Sequence, residues 1–191
     1  MDLALERVEY CFSCIKLKGY QKEGQAYFYH LHSDQYSQFL YYLANSIWTL
    51  QGDSSVCDKL ILLKRSLHGI WFSYKGSLPD VFLLCHPVGT VLGNAVYSDY
   101  MVVLQNVTVN TGAEKDGEVV PPHLGKGLFL SAGAKIIGRE PIGDYVTIGV
   151  DTCVHDKKLE NNTLIYRASD GRVVEKANHD PVAQKYFNIK I

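Results

Sequence analysis

Aliphatic side chains recur at every sixth position along the second half of the chain, a period that neither an α-helix nor a half-buried strand shows. The series runs through Leu124, Leu130, Ile136, Ile142, Ile148 and Val154. Four positions after most of these residues the side chain is again small or aliphatic, at Leu128, Ala134, Val146 and Thr152. A short fixed repeat predicts stacked coils in which the repeated side chain points inward. The sequence therefore predicts a parallel β-helix with three hexapeptides in each triangular coil, and we expect Glu140, which departs from the pattern, at a turn.

A second run of the same period lies upstream. It consists of Leu78 and Leu84 and then, after one extra residue, Val91, Tyr97, Val103 and Val109. Residues 110–123 lack the period and separate the two runs, so we expect them to form an excursion loop that leaves the coils. Coils of this hexapeptide type wind left-handed, which is an exception to the usual right-handed crossover. The prediction is a left-handed parallel β-helix over residues 77–158.

Residues 1–76 have a different pattern, in which apolar side chains are spaced three or four residues apart. The spacing predicts about three helices, and Ser33 and Asp34 are candidates to cap the second of them. In residues 159–191, two apolar stretches flank Asp170 and Gly171, which predicts a hairpin that covers the last coil. The expected fold class is mostly β, with a small N-terminal α-helical domain before the β-helix.

Charge and composition argue against several classes of partner. The chain of 191 residues carries 19 basic and 20 acidic residues without a dense basic run, so neither a nucleic acid nor a membrane surface is an expected partner. No apolar run is long enough for a membrane span, and the opening MDLALERVEY does not resemble a secretory signal, so we expect a cytoplasmic protein. The five cysteines are scattered, and Cys11 and Cys14 have no second close pair to complete a zinc site. We expect reduced thiols and no metal.

Three segments of the β-helical region resemble a known family. They are FLLCHPVGTVLG at 82–93, VVLQNVTVNTG at 102–112 and LGKGLFLSAGAKIIG at 124–138. In this order, with the loop before the third, they resemble the serine acetyltransferase branch of the hexapeptide-repeat acyltransferases over roughly residues 76–155. The resemblance implies an acetyl-CoA-dependent O-acetyltransferase. It also implies a homotrimer in which acetyl-CoA lies in the groove between neighbouring β-helices.

His86 is the candidate general base. In the family that the chain resembles, the histidine that opens the H-x-x-G-x-V-x-G segment deprotonates the acceptor hydroxyl, and His86 occupies that position. The chemistry agrees, because histidine is the side chain best suited to accept a proton near neutral pH. The structural alternative is a histidine that only hydrogen-bonds a neighbouring coil. Asp80, at the entry of the β-helix, is the candidate carboxylate that orients the imidazole ring.

Three other polar residues are candidates for binding the acceptor: His68 near the end of the third helix, Asp99, and His123 after the loop. The two histidines have structural alternatives, as a helix-terminal residue and as an exposed loop residue. The spacing places Asp80 and Asp99 at one corner of the triangular coil and His86 at the next corner.

Small residues that let the extended arm of CoA approach the backbone are candidates for the cofactor site, together with one lysine. They are Gly112, Ala132, Ala134 and Lys135. The lysine matches a family lysine near the CoA groove, and an ordinary exposed lysine is the alternative.

Departures from the family concern the acceptor. Cys85 stands where the family has an aspartate, and Val120 and Pro121 stand where it has an Arg-His pair that grips the amino-acid acceptor. Without that pair a bidentate clamp for a carboxylate is missing, so L-serine is expected to be a poor acceptor. The short helical part resembles that of enzymes of surface-polysaccharide biosynthesis, so a sugar or sugar nucleotide is the expected acceptor. The alternatives are serine O-acetylation in cysteine biosynthesis and a non-catalytic β-helix that acts as a scaffold or binds a ligand.

Overall fold

The computed structural model describes residues 1–110 and 120–188, which form a helical region followed by stacked coils. The α-helices are α1 (Asp2–Ser13), α2 (Ser33–Gln51) and α3 (Ser54–His68). Between α1 and α2 lies a short antiparallel pair, β1 (Gln21–Lys22) and β2 (Gln25–Ala26). Gly52 and Gly69 end α2 and α3 in the left-handed conformation, which glycine adopts without a steric penalty.

The other strands form the β-helix and its terminal hairpin. In chain order they are β3 (Trp71–Phe72), β4 (Phe82–Leu84), β5 (Val91–Leu92), β6 (Val96–Tyr97), β7 (Met101–Val103), β8 (Thr108–Asn110), β9 (His123–Leu124), β10 (Phe129–Leu130), β11 (Lys135–Ile137), β12 (Thr147–Ile148), β13 (Cys153–His155), β14 (Thr163–Arg167) and β15 (Val173–Ala177). Parallel pairing stacks these strands on three faces, except β15, which pairs antiparallel with β14. The first face contains β4, β7, β10, β12 and β14, the second contains β3, β5, β8, β11 and β13, and the third contains β6 and β9. The predicted fold class, a left-handed parallel β-helix after a helical region, is confirmed.

The repeated aliphatic side chains fill the inside of the coils. All six members of the series that starts at Leu124 are buried, and so are the residues four positions later at Leu128, Ala134, Val146 and Thr152. Each row of inward side chains comes from strands paired in register on one face, and burying one such side chain stabilises the fold by about 1.5–3 kcal/mol. The row on the first face is Leu84, Val103, Leu130, Ile148 and Ile165. Glu140 lies exposed between strands, as expected.

The structure corrects the upstream register at one position. Leu92 and not Val91 is the inward residue, since Leu92 is 2% exposed and Val91 is 38% exposed. Residues 85–91 separate Leu84 from Leu92, whereas residues 104–108 fill the same interval in the next coil. The turn after β4 is therefore two residues longer than its neighbour, where the sequence suggested one extra residue. The coils also begin before the expected boundary, because β3 already pairs with β5.

The helical region is fixed onto the first coil by side chains of α2. The hydroxyl of Tyr42 donates to the backbone oxygen of Asp80 (3.0 Å), and Nε2 of Gln38 donates to the backbone oxygen of Phe82 (2.8 Å). Tyr42 and Gln38 are fully buried, so both bonds are shielded from water. As a result, the N-terminal end of α2 lies beside the turn that follows β4.

The last described segment, residues 181–188, returns to α1, and we call it the strap. Its Tyr186 ring lies 5.7 Å from the ring of Phe129 on the first face. Its Phe187 forms an antiparallel bridge with Ile15, just after α1. The strap therefore joins the far end of the described chain to the helical region.

Among the described residues, no helix is both long enough and apolar enough to cross a bilayer. All five cysteines are free thiols.

Candidate active site

The turn after β4 is the irregular part of the stack. Four turns lie above one another at the corner between the first and second faces, and we call them the histidine corner: residues 85–91, 104–108, 131–135 and 149–153. His86 has a left-handed backbone (φ 52°), but so do Asn106 and Asp151 in the turns below. The left-handed backbone is thus a property of the corner, and the length of the first turn distinguishes His86. Gly89 is required in this turn, because a Cβ there would collide with the side chain of Asn106.

His86 is held by an aspartate from the helical region that the sequence analysis missed. The backbone N–H of His86 donates to Oδ2 of Asp34 (3.0 Å), and its ring Nδ1 lies 3.4 Å from the same oxygen. The His86 side chain is 82% exposed and that of Asp34 is 8% exposed. A carboxylate beside Nδ1 favours the tautomer with the proton on Nδ1. The Nε2 atom of an exposed ring is then free to accept a proton.

Asp34 lies in the first turn of α2, where the positive end of the helix dipole favours an anion. The expectation that Ser33 and Asp34 cap this helix is wrong, because the N-cap residue is His32 and it makes no side-chain capping bond. Asp34 instead binds His86, and Oγ of Ser33 lies 2.9 Å from Nδ1 of His68. Asp34 therefore connects the helical region to the histidine corner, whereas Ser33 connects α2 to α3. The local sequence does not distinguish this role of Asp34 from helix capping.

His68, the last residue of α3, is brought close to Asp34. Burial lowers the pKa of His68, and the negative charge of Asp34 opposes that shift, so the ring is neutral at pH 7. Its Nε2 is buried and has no partner among the described residues. The end of α3 is tied to the widened turn, because the backbone oxygen of Gly69 accepts from the N–H of Gly89 (3.0 Å).

Two neutral groups share the surroundings of Asp34. Burial raises the pKa of the Cys85 thiol and of the Tyr20 hydroxyl, and the charge of Asp34 raises both further. Both groups are therefore protonated at neutral pH. The Tyr20 hydroxyl is buried without a partner in the part of the chain that the structure describes. The carboxylate beside His86 thus comes from α2, while the position before His86 holds a neutral thiol.

Asp80 and Asp99 lie at the corner between the third and first faces, away from His86. The Asp80 carboxylate is 72% exposed and lies 3.9 Å from the guanidinium of Arg7. Oδ1 of Asp99 accepts from the backbone N–H of Val81 (2.9 Å) and so joins two stacked turns. The expectation that Asp80 orients His86 is wrong, because consecutive hexapeptides occupy different corners of the coil.

Most of the predicted excursion loop lies outside the described residues, and from residue 120 the described chain leads into β9 on the third face. His123 begins β9 and pairs with Val96, and its side chain is exposed. It does not lie at the histidine corner of the same chain. Val120 is exposed and Pro121 is half-buried, and neither side chain can supply a charge.

The CoA candidates divide into three groups. Ala132 and Lys135 lie at the histidine corner two turns below His86, and the N–H of Ala132 has no acceptor among the described residues. Nζ of Lys135 donates to a backbone oxygen of its own turn (2.9 Å). Ala134 is buried and its N–H donates to the backbone oxygen of Ser131 (3.0 Å), so this N–H is already paired within the turn. Gly112 lies outside the described residues.

A metal has no evident place in the part of the chain that the structure describes, since no group of three or more His, Cys, Asp or Glu side chains converges there. The chemistry available at the histidine corner is proton transfer by an exposed imidazole that is backed by a buried carboxylate.

No protein-family model matches the chain. Among curated proteins it is similar to a serine acetyltransferase from Synechococcus elongatus, with 30% identity over 109 residues that make up 56% of this chain and 44% of that protein. The chain therefore spans less than half the length of this relative. Among solved structures, the serine acetyltransferase of Neisseria gonorrhoeae matches with a TM-score of 0.71 and 20% identity over 98% of this chain and 71% of that chain. A serine acetyltransferase in complex with CoA matches with a TM-score of 0.62 and 21% identity over 74% of this chain and 57% of that chain.

The chain thus combines a parallel β-helix with a helical region and with an exposed histidine at one corner of its first coil. The resemblance to the serine acetyltransferase branch is confirmed by these comparisons. The structural match extends beyond the three sequence segments, because it covers the helical region as well.

Proposed function

We propose that the chain is an acetyl-CoA-dependent O-acetyltransferase of the serine acetyltransferase type, with His86 as general base. The observation that carries the proposal is the pair of His86 and Asp34, in which a buried carboxylate lies 3.4 Å from Nδ1 of an exposed imidazole. The similarity to serine acetyltransferases supports the same activity. A purely structural histidine would not need a buried anion at one nitrogen and solvent at the other.

In the proposed reaction, Nδ1–H of His86 donates to Asp34 and Nε2 accepts the proton of the acceptor hydroxyl. The hydroxyl oxygen attacks the thioester carbonyl of acetyl-CoA. The C–S bond then breaks, and the CoA thiolate takes the proton from Nε2, so the products are an O-acetyl ester and CoA. Asp34 stabilises the imidazolium that exists between the two proton transfers.

The proposed acceptor is L-serine. The relatives reported above are serine acetyltransferases, and none of them supports the expected sugar or sugar nucleotide, so that expectation is corrected. It depended on the short helical region. A short helical region is a weak guide, because the match to a serine acetyltransferase covers nearly the whole chain.

For the acyl donor we propose the histidine corner as the binding surface. The free N–H of Ala132 and the exposed side chain of Lys135 are available for the arm and the phosphates of acetyl-CoA. Val88 and Val150 are exposed apolar side chains at the same corner, which supports contact with a neighbouring copy. We therefore propose a homotrimer in which two copies share each groove.

The test measures release of CoA thiol from acetyl-CoA by the purified protein with L-serine or with a nucleotide sugar as acceptor. Saturable release that is greater with L-serine supports the proposal, and release with the sugar alone overturns the acceptor. Release with neither would overturn the enzymatic proposal in favour of a scaffold. Sedimentation at micromolar concentration should give a trimer or a multiple of it, and a monomer would overturn the shared groove.

A further inference from the structure

A groove of about 340 Å³ lies next to the widened turn. One side is formed by the end of α3 and the start of β3, and the other side by the second half of the turn. Its lining includes Arg65, Gly69, Ile70, Trp71, Gly89 and Val91. The groove therefore combines a guanidinium with an apolar wall and with backbone of the turn that carries His86.

The surroundings of Arg65 differ from those of Arg7 and Arg172. Arg7 lies beside Asp80 and bonds the side chain of Asn45, and Arg172 pairs with Asp170. The guanidinium of Arg65 has no such partner in the part of the chain that the structure describes. Arg65 is exposed and lies beside the apolar wall of the groove, and an anion held against that wall is bound more strongly because less water competes there.

The backbone ties Arg65 to the site. The backbone oxygen of Arg65 accepts from the N–H of Gly69 (2.9 Å), and the backbone oxygen of Gly69 accepts from the N–H of Gly89 (3.0 Å). Within the turn, the N–H of Val88 donates to the backbone oxygen of His86 (2.8 Å). A chain of three backbone bonds therefore sets the position of the Arg65 backbone relative to the backbone of His86.

We infer that Arg65 binds the carboxylate of an amino-acid acceptor while His86 receives its hydroxyl, an inference that rests on the proposed function. A guanidinium presents two parallel N–H groups that match the two oxygens of a carboxylate, which an ammonium cannot do. The apolar side chains at Val120 and Pro121 supply no charge for this purpose. Arg65 makes the acceptor class an α-amino acid or another small hydroxylated carboxylate.

The test compares Arg65→Gln with Lys59→Gln, which removes the same charge from an exposed position on the same helix. The acceptors are L-serine and L-serinamide, which lacks the carboxylate. Arg65→Gln should raise the KM for L-serine by about tenfold to a hundredfold, as expected for loss of a charge-assisted hydrogen bond. It should leave the KM for L-serinamide and for acetyl-CoA unchanged, and Lys59→Gln should change none of the three.

Two results would overturn the inference. An equal loss with L-serine and L-serinamide would mean that Arg65 only supports the fold, and a raised KM for acetyl-CoA alone would mean that it binds the phosphates of CoA.

Titration calorimetry of L-serine with the wild type and Arg65→Gln separates this inference from the proposed function. Binding that weakens in the variant without any acetylation keeps the carboxylate site and rejects the reaction. Acetylation of L-serine that is unaffected by Arg65→Gln keeps the reaction and rejects the site.

Discussion

The β-helix and the helical region are built by different rules. In the β-helix, an inward side chain repeats the chemistry of the one below it, as Leu130 and Ile148 do in neighbouring coils. In the helical region, polar side chains reach single partners far along the chain, as Asp34 does with His86. The repeated inward side chains form the regular stack of coils. The non-repeating contacts of the helical region place single charged groups, such as the Asp34 carboxylate, beside that stack.

The candidate site lies at a position where the regular pattern of the coils is interrupted. His86 lies on a corner whose lower turns also carry left-handed residues, such as Asn106 and Asp151, but no histidine. What the first turn has in addition is two more residues and the end of α2 beside it. The site therefore arises where the irregular region meets the end of the regular one.

The largest expected effect comes from changing His86, which lies where the β-helix meets the helical region. His86→Ala should lower kcat by about 10² to 10⁴ with little change in the KM for acetyl-CoA, because it removes the proposed general base. Steady-state kinetics measure this, and sedimentation shows whether the assembly is kept. His155→Ala, an exposed histidine on β13, is the matched control and should leave kcat unchanged. A His86→Ala protein that keeps its assembly and more than about a tenth of the wild-type kcat would contradict the assignment.

The next effect concerns stability and separates the two regions directly. Leu130→Ala should lower the free energy of unfolding by about 2–5 kcal/mol, because Leu130 is fully buried and its row cannot collapse around the cavity. Leu62→Ala in α3 is the control, since Leu62 is 64% exposed and should change stability by no more than about 0.5 kcal/mol. Urea unfolding of both variants measures the difference. Equal losses would mean that the inward rows do not carry the stability of the β-helix.

Asp34→Asn should lower kcat by about tenfold to a hundredfold, less than the loss from His86→Ala, because Asp34 acts through the ring. Asp80→Asn removes a carboxylate at the other corner and should have no effect. The double variant of His86→Ala and Asp34→Asn should be no slower than His86→Ala alone, since the two residues act as a unit. Additive losses, or an equal loss from Asp80→Asn, would show that Asp34 does not act through His86.

The smallest effect is a pH dependence that originates in the helical region. Burial raises the pKa of Cys11 in α1 from 9.0 to about 11, so the unfolded chain loses this proton before the folded protein does. The contribution of Cys11 to stability is present below pH 9 and is lost as the pH rises towards 11, by about 1.4 kcal/mol per pH unit. Urea unfolding between pH 8 and 10.5 should show a shallower loss for Cys11→Ala. Cys153→Ala, an exposed thiol of β13, should keep the wild-type slope, and a Cys11→Ala slope equal to it would refute the account.

The inward rows of the β-helix could be predicted because aliphatic residues recur at every sixth position of the sequence. The same signal failed at Val91, since the extra length of the His86 turn is compensated in the next interval, where Leu92 and Tyr97 are only five positions apart. In the sequence alone, one extra residue between Leu84 and Val91 fits the period of six equally well. Only the burial of Leu92 decides between the two registers.

The candidate site could be predicted in part. His86 stands out because its segment resembles a family motif, whereas Asp34 lies 52 positions away and on a different type of element. No local rule links a helix start to a turn of a β-helix, and local rules favour a capping role for Asp34. Arg65 is equally hidden, because an arginine in the last turn of a helix is ordinary in sequence and gains its interest only from the groove that it lines.

The strap changes how this molecule should come apart. A stack of coils touches only its neighbours, so it can open progressively from a free end. Here Nδ2 of Asn188 in the strap donates to the backbone oxygen of Ser13 in α1 (3.3 Å), across 175 positions of the chain. Fraying of the last coils would break these contacts with the first helix, so we expect the coils and the helical region to unfold in one cooperative transition instead of a sequence of partial ones.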